Sequence, residues 1–177
     1  MPEEEKTIKD FEQLTGLLKK KEICKRTVVV WPEEDHTQEA ILQATHEGFI
    51  SPILVCSERT KKIFADREAL QAVTAENPEE ASRIAVKIIR EQKADIIMKG
   101  FVNTDVLLRA ILDKEHGILP RGAVLTHITV TKIPEYPKLL FFTDAAVIPY
   151  PTEEQRKAQI KYVIDFCHAF NIDCPKI

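Results

Sequence analysis

Glycine is scarce in this chain, with five in 177 residues. So few disfavour a glycine-rich dinucleotide loop, and neither GxGxxG nor the GxSxG elbow occurs. Cysteines are few as well: Cys24, Cys56, Cys167 and Cys174 form no CxxC pair, which fits reduced thiols. Cys167-His168 with Cys174 supplies too few ligands for a metal site, and His36, His46, His116 and His168 show no HExxH or other zinc spacing. No EF-hand loop is present. No apolar run approaches the ~18 residues that a membrane span needs. The first six residues, Met-Pro-Glu-Glu-Glu-Lys, lack the basic-then-apolar layout of a secretory signal. Neither sign of charge dominates: the net charge is −3, which argues against a nucleic-acid binder. What is present is ordinary globular material, 44% hydrophobic and 30% charged, long enough for one large domain or one and a half. The expectation is a soluble, cytoplasmic α/β protein.

Apolar runs and helix signals alternate. Thr27–Trp31, Pro52–Cys56 and Asp95–Met98 read as strands covered on both faces. Leu125–Thr131 alternates and reads as a strand with one more polar face, and Leu139–Phe142 as a fifth strand. Helical spacing is expected over Thr7–Lys19, through Ile8, Phe11, Leu14 and Leu18. Asp35 with Gln38 predicts a capping box before Ala40, Ile41, Ala44 and Thr45, with Gly48 as the stop. Asn77-Pro78 with Glu80 predicts the next helix start, and Thr152 with Gln155 the last one. The order predicts an α/β fold in three layers, α/β/α, around a mostly parallel sheet.

The segment KGFVNTDVLLR, Lys99–Arg109, holds the most chemistry. A buried strand ends there, Gly100 turns the chain, and a helix begins near Asn103 or Thr104. Ligands gather at such strand ends, and a helix start offers free N–H groups to a phosphate. Lys99 would add charge. On spacing alone a surface lysine, a turn glycine and a helix cap explain these residues better, since this is no GxxxxGK(S/T) loop. Arg109 reads either as a bidentate phosphate ligand or as the surface partner of Asp105 four residues before it, and spacing favours the pair. Arg121 stands on a loop, free to reach a ligand or simply solvated. Asp144, after Thr143 at a strand end, reads equally as a ligand holder and a turn residue. His127 reads as a partly buried histidine before it reads as a catalyst. No serine or cysteine is placed by a base at recognisable spacing, so no catalytic nucleophile is assigned.

These segments in order resemble the phosphate acetyl/butyryltransferases, on the butyryltransferase side of the family. The resemblance runs through VVVWPEEDHTQEAILQATHEG (Val28–Gly48), Ile53–Val55, Lys99–Arg109, LDKE (Leu112–Glu115), LTH (Leu125–His127) and LLFFTDAA (Leu139–Ala146). It is collinear from about Thr27 to Ile177, and its specificity lies in the ordered set. It implies a two-domain enzyme of the isocitrate/isopropylmalate-dehydrogenase-like fold that exchanges phosphate for coenzyme A on a short acyl group such as butyryl. No metal or other cofactor is implied, with coenzyme A a substrate or product. The implied partners are acyl-CoA and phosphate, with a homodimer left open and neither nucleic acid nor membrane involved. The resemblance favours Thr104 and Arg109 as phosphate-site residues, and keeps Lys99, Gly100, Asn103, Arg121, His127, Thr143 and Asp144 as substrate-site candidates lining one cleft.

Two departures stand out. Cys56 occupies a position where relatives usually turn with glycine. The Gly-Pro-Leu…Asp segment of the family's second domain has no counterpart. The expectation is therefore an N-terminal domain over 1–150 and a helix, 151–177, leading toward a second domain that the chain lacks. The rival reading is a truncated, non-catalytic domain that binds an anion or acyl phosphate. A receiver-like module is excluded because Glu33-Glu34-Asp35 lies in a helix-cap loop and not as an acidic pair at the strand end.

Overall fold

The computed structural model describes residues 7–66 and 70–177; the acidic stretch 1–6 lies outside the described residues. Among the described residues six helices and six strands follow in the order α1 (Phe11–Lys20), β1 (Lys25–Val30), α2 (Asp35–His46), β2 (Ile50–Cys56), α3 (Glu58–Ile63), β3 (Gln71–Thr74), α4 (Pro78–Arg90), β4 (Ile96–Lys99), α5 (Thr104–Ile111), β5 (Thr129–Lys132), β6 (Leu139–Phe142) and α6 (Glu153–His168). They fall into two compact units. One is Leu18–Leu119; the other joins the residues up to Leu17 with Pro120–Ile177. α6 lies in the same unit as β5 and β6.

The Leu18–Leu119 unit is a parallel sheet in the order β3-β2-β1-β4. Alternation sends Val28, Val30 and Val55 to one face, where they pack with Ala81, Ala85 and Ile88 of α4 and Leu107 of α5. Val29, Leu54 and Cys56 point to the other face, onto Ile41 of α2 and Phe64 after α3. Both faces are covered, so the three-layer α/β/α expectation holds for this unit. Helix ends follow local chemistry. Asn77 accepts from the Glu80 N–H at 2.8 Å with Pro78 first in α4. Gly48, at φ 78°, closes α2 while the Phe49 N–H reaches back to the Ala44 carbonyl.

The other unit is smaller. β5 and β6 form an antiparallel pair, Thr129 facing Phe142 and Lys132 facing Leu139. Ile8, Leu139 and Phe170 are buried together, and Phe141, Phe166 and Phe170 meet with ring centroids 5.1–6.2 Å apart. α6 opens with the predicted capping box: Thr152 Oγ1 accepts from the Gln155 N–H, and the Thr152 N–H donates to Gln155 Oε1.

Several expectations are corrected. The last two predicted strands lie outside the parallel sheet. Only six residues, Ile133–Lys138, link β5 to β6, too few for the crossover that parallel strands need. The strand expected at Leu125–Thr131 starts only at Thr129, because Asp144 takes the His127 N–H and the Thr126 hydroxyl. The Asp35–Gln38 box does not form. α2 starts at Asp35 behind Glu34, and Gln38 Nε2 donates to the Pro32 carbonyl at 2.9 Å instead. α1 starts at Phe11, later than Thr7, because Asp10 caps the Gln13 N–H at 2.8 Å. β3 and α3 had no expectation at all: β3 is a short, largely exposed edge strand and α3 a six-residue polar turn of helix.

Candidate functional site

The strand order sets the place. From β1 the chain moves outward through β2 to β3, then returns to the far side of β1 as β4. In open α/β sheets ligands settle outside the carboxyl ends of the strands where the connection reverses. Here the residues at that end of the sheet are Trp31, Pro32 and Glu33 after β1 and Gly100–Asn103 after β4, with α5 starting at Thr104. The two tails are stitched together. The Gly100 N–H donates to the Val30 carbonyl at 2.9 Å, the Phe101 N–H to the Trp31 carbonyl at 2.8 Å, and the Trp31 N–H to the Val55 carbonyl at 2.8 Å. Trp31 takes φ 56°, uncommon for a bulky residue. A Cβ on residue 100 would lie 2.6 Å from the Val30 oxygen and 2.7 Å from the Trp31 oxygen, so this approach admits only glycine.

Lys99 serves its own loop. Its Nζ donates to the carbonyls of Val102 at 2.9 Å and Gly100 at 3.3 Å, which leaves one of three N–H groups for a ligand. Asn103 stands at the N-cap of α5 without a side-chain cap bond, and Thr104 is exposed as the first helical residue. The acid of that first turn is Asp105. Its carboxyl is held below the ordinary range, first by the Arg109 guanidinium and further by the N–H groups of residues 105 and 106. Arg109 pairs through Nη2 with Asp105 Oδ2, as the spacing favoured, and the pair is largely exposed. Arg109 also borders a groove of about 880 Å³ with Arg83, Val86 and Arg90 of α4.

In the smaller unit Asp144 is the centre of a satisfied cluster. Oδ2 accepts from Thr126 Oγ1 at 2.7 Å and the His127 N–H at 3.0 Å, and Oδ1 accepts from the N–H groups of Ala146 and Val147, both at 2.8 Å. Burial pushes its carboxyl up; the Val147 and Ala146 N–H groups, then Thr126 and the His127 N–H, outweigh it and hold the group well below the carboxylate range. Thr143 Oγ1 lies 3.1 Å from Thr126 Oγ1, and the buried Gln159 donates to Thr126 at 3.2 Å. His127 Nδ1 lies 3.3 Å from Thr129 Oγ1. Asp144 therefore fixes a loop, the turn reading of its position, and is no free acid or base. Arg121 is exposed beside Gly122 and makes no hydrogen bond or ion pair among the described residues.

Sequence reasoning missed Trp31, Glu33 and Phe101. The Glu33 carboxylate accepts from the Ser57 N–H and Oγ, both at 2.8 Å, and from Thr60 Oγ1 at 2.7 Å, tying the tail of β1 to the start of α3. No spacing announces a bond across 24 residues. The Cys56 thiol is pushed up to about 11 by burial, with Glu33 adding to it, which makes it a poor nucleophile. Among the described residues no group of three or more His, Cys, Asp or Glu side chains could hold a metal ion, and no helix is long and apolar enough to cross a membrane.

Residues 68–177 match the family described as phosphate acetyl/butaryl transferase. The chain belongs to this family. A phosphate butyryltransferase of Clostridium beijerinckii is 33% identical over 96% of the chain and 57% of its own length. A phosphate acetyltransferase of Thermotoga maritima is 27% identical over 86% of the chain and 53% of its own length. The crystal structure of a branched-chain phosphotransacylase from Enterococcus faecalis shares the fold, with a TM-score of 0.69 at 19% identity, over 81% of this chain and 51% of that one. The chain thus spans about half the length of the phosphate acyltransferases it matches.

Proposed function

We propose that this chain forms part of a phosphate acyltransferase that turns a short acyl-CoA, such as butyryl-CoA, and phosphate into acyl phosphate and CoA. The observation that carries the reading is the reversal of the strand order between β1 and β4. There Gly100 presses on the Trp31 carbonyl and the chain opens at once onto the start of α5, where Asn103 supplies no cap. Phosphate sits at the start of α5 beside Asn103 and Thr104, taking over from the Asp105 carboxylate both the N–H groups of residues 105 and 106 and the fork of Arg109. Lys99 keeps the loop in shape and adds charge. In the other unit Arg121 and His127 remain for substrate, while Thr143 and Asp144 hold their loop.

A phosphate oxygen attacks the thioester carbonyl carbon, and the C–O bond forms as charge moves onto the carbonyl oxygen. Collapse of that oxyanion breaks the C–S bond. The CoA sulfur leaves with the electron pair and takes the proton that the hydrogen phosphate gives up, so charge and atoms balance. Holding the phosphate near the acyl carbon, with donors aimed at the developing charge, is what such a step requires. In this reading most of the CoA site, and any group that relays the proton, belong to the part of the relatives' length that this chain does not match.

The test is thiol release from butyryl-CoA plus phosphate. The 177-residue chain alone is expected to bind inorganic phosphate without turnover, and a fusion to the unmatched C-terminal part of the Clostridium beijerinckii relative is expected to turn over. A fusion that folds yet neither binds phosphate nor releases thiol overturns the reading, and leaves a domain that does not carry this chemistry. Robust turnover by the 177-residue chain would place the whole reactive set within it.

A further inference from the structure

The unit that holds β5, β6 and α6 has a cavity of about 710 Å³ of its own. Leu140 of β6 and Thr143 just after it line the cavity, as do Arg156, Gln159, Ile160 and Val163 of α6. Those four stand at i, i+3, i+4 and i+7, one stripe of the helix about 10 Å long. Gln159 is the unusual member: it is 4% exposed, whereas Leu140 and Ile160 are each more than a third exposed. The hydrogen bonds behind it fix which way its amide points. The ionised Asp144 carboxylate can only accept, so Thr126 spends its one hydrogen on Asp144 Oδ2 at 2.7 Å. Thr126 Oγ1 is then an acceptor for Gln159 Nε2 at 3.2 Å and for the Thr143 hydroxyl at 3.1 Å. Gln159 therefore turns Oε1 away from Thr126, and among the described residues nothing donates to it. Among those residues every fully buried side-chain oxygen or nitrogen has a partner. Oε1, which has none, is thus not sealed in, and it opens to the space that Gln159 lines.

This wall selects a particular chemistry. Gln159 Oε1 and the Thr143 lone pairs accept, so the group that meets them must donate. The charged residues around the cavity are Lys9, Lys138, Arg156 and Lys176 against Asp173, and none of the four cations is in an ion pair among the described residues. That surplus repels an ammonium ligand, which leaves a neutral N–H or O–H donor on a molecule with a negative end. Along the stripe the order is a cation at Arg156, an amide at Gln159 and apolar surface at Ile160 and Val163. A phosphopantetheine chain, the arm that carries an acyl thioester, has the same order: a phosphate, then amide N–H groups, then the thiol end that bears the acyl group. We propose that this cavity binds the phosphopantetheine arm of the acyl thioester, with Gln159 Oε1 accepting an amide N–H and Arg156 facing the phosphate. The need for a donor follows from the hydrogen bonds alone, whereas naming the donor rests on the acyl-transfer reading above.

Isothermal titration of the 177-residue chain under reducing conditions tests it, with 4′-phosphopantetheine and with the analogue in which both amides are replaced by esters. The esters remove the N–H donors at nearly constant shape. The wild type should bind the amide form about tenfold more tightly than the ester form. Gln159→Leu should reduce that ratio to under about twofold. Arg156→Gln, an exposed position, should weaken phosphopantetheine about threefold and leave pantetheine, which lacks the phosphate, unchanged. Coenzyme A distinguishes the source of the arm: affinity equal to that of phosphopantetheine places recognition on the arm itself, on whatever carrier it arrives, and tighter binding adds the nucleotide. Equal wild-type affinity for the amide and ester forms overturns the proposal without any variant. A ratio that survives Gln159→Leu overturns it too, whether both ligands weaken together, as a structural role would give, or neither does. An Arg156→Gln loss shared by pantetheine also counts against it. A wild type that binds inorganic phosphate at residues 100–106 but not phosphopantetheine loses this proposal and keeps the phosphate reading.

Discussion

A methyl group on residue 100 would land 2.6 Å from the Val30 carbonyl oxygen and 2.7 Å from that of Trp31, against backbone that cannot swing aside. Gly100→Ala should therefore cost about 2–3 kcal/mol in urea unfolding, as overpacking does. Gly48→Ala, at φ 78° in open space, should cost only about 1 kcal/mol. Equal costs would show that the approach at residue 100 is not tight. Asp144 carries a second test. Its native pKa lies below the unfolded value, so its ionised form contributes stability that is complete above about pH 4 and is lost as the pH falls through the native value. Asp144→Asn should cost about 1–3 kcal/mol at pH 7, and the gap to wild type should close progressively in acid; a gap constant between pH 7 and pH 2 would contradict this. At α5, Asp105→Asn removes a like charge from the proposed phosphate site and frees Arg109, so it should tighten phosphate binding severalfold. Arg109→Lys should weaken it, because the ammonium lacks the planar fork. If neither change alters phosphate affinity, the exposed pair is only a surface pair.

Helix caps show how far local sequence reaches. Asn77-Pro78-Glu79-Glu80 and Thr152…Gln155 were legible because each cap is decided within four residues, and both form. Asp35…Gln38 matched the same template and failed, since the Pro32 carbonyl offers Gln38 a partner that no template includes. Thr152→Ala should accordingly cost about 1 kcal/mol of stability and Asp35→Ala less than about 0.5 kcal/mol, compared by thermal or urea unfolding. Similar losses would mean that Asp35 caps in solution after all. The strands divide in the same way. β1 and β2 were legible as apolar runs because both faces are covered. β3 was not, because an exposed edge strand such as Gln71–Thr74 carries no apolar pattern. β5 and β6 were legible as strands but not as a hairpin, although the six-residue link already excluded a crossover. Asp144 was ambiguous for a different reason: its four donors come from residues 126, 127, 146 and 147, two of them distant in sequence and brought near only by the hairpin.

At the scale of the molecule, each unit has its own core, and the candidate residues are shared out between them: Lys99, Gly100, Asn103, Thr104 and Arg109 in the sheet unit, Arg121, His127, Thr143 and Asp144 in the other. The ordered motifs identified the family, while the place of the proposed site became legible only with the strand order, because a reversal between β1 and β4 is a property of the whole sheet. Phosphate binding at that reversal is the claim on which the functional reading stands. Titrating the 15N-labelled chain with inorganic phosphate, and following its amide resonances, tests it most directly. Saturable shifts should concentrate at the amides of residues 100–106 and at the Trp31 indole, and Arg109→Lys should diminish them. Shifts confined to the groove beside Arg83 and Arg90, or no saturable shift at residues 100–106, would contradict it.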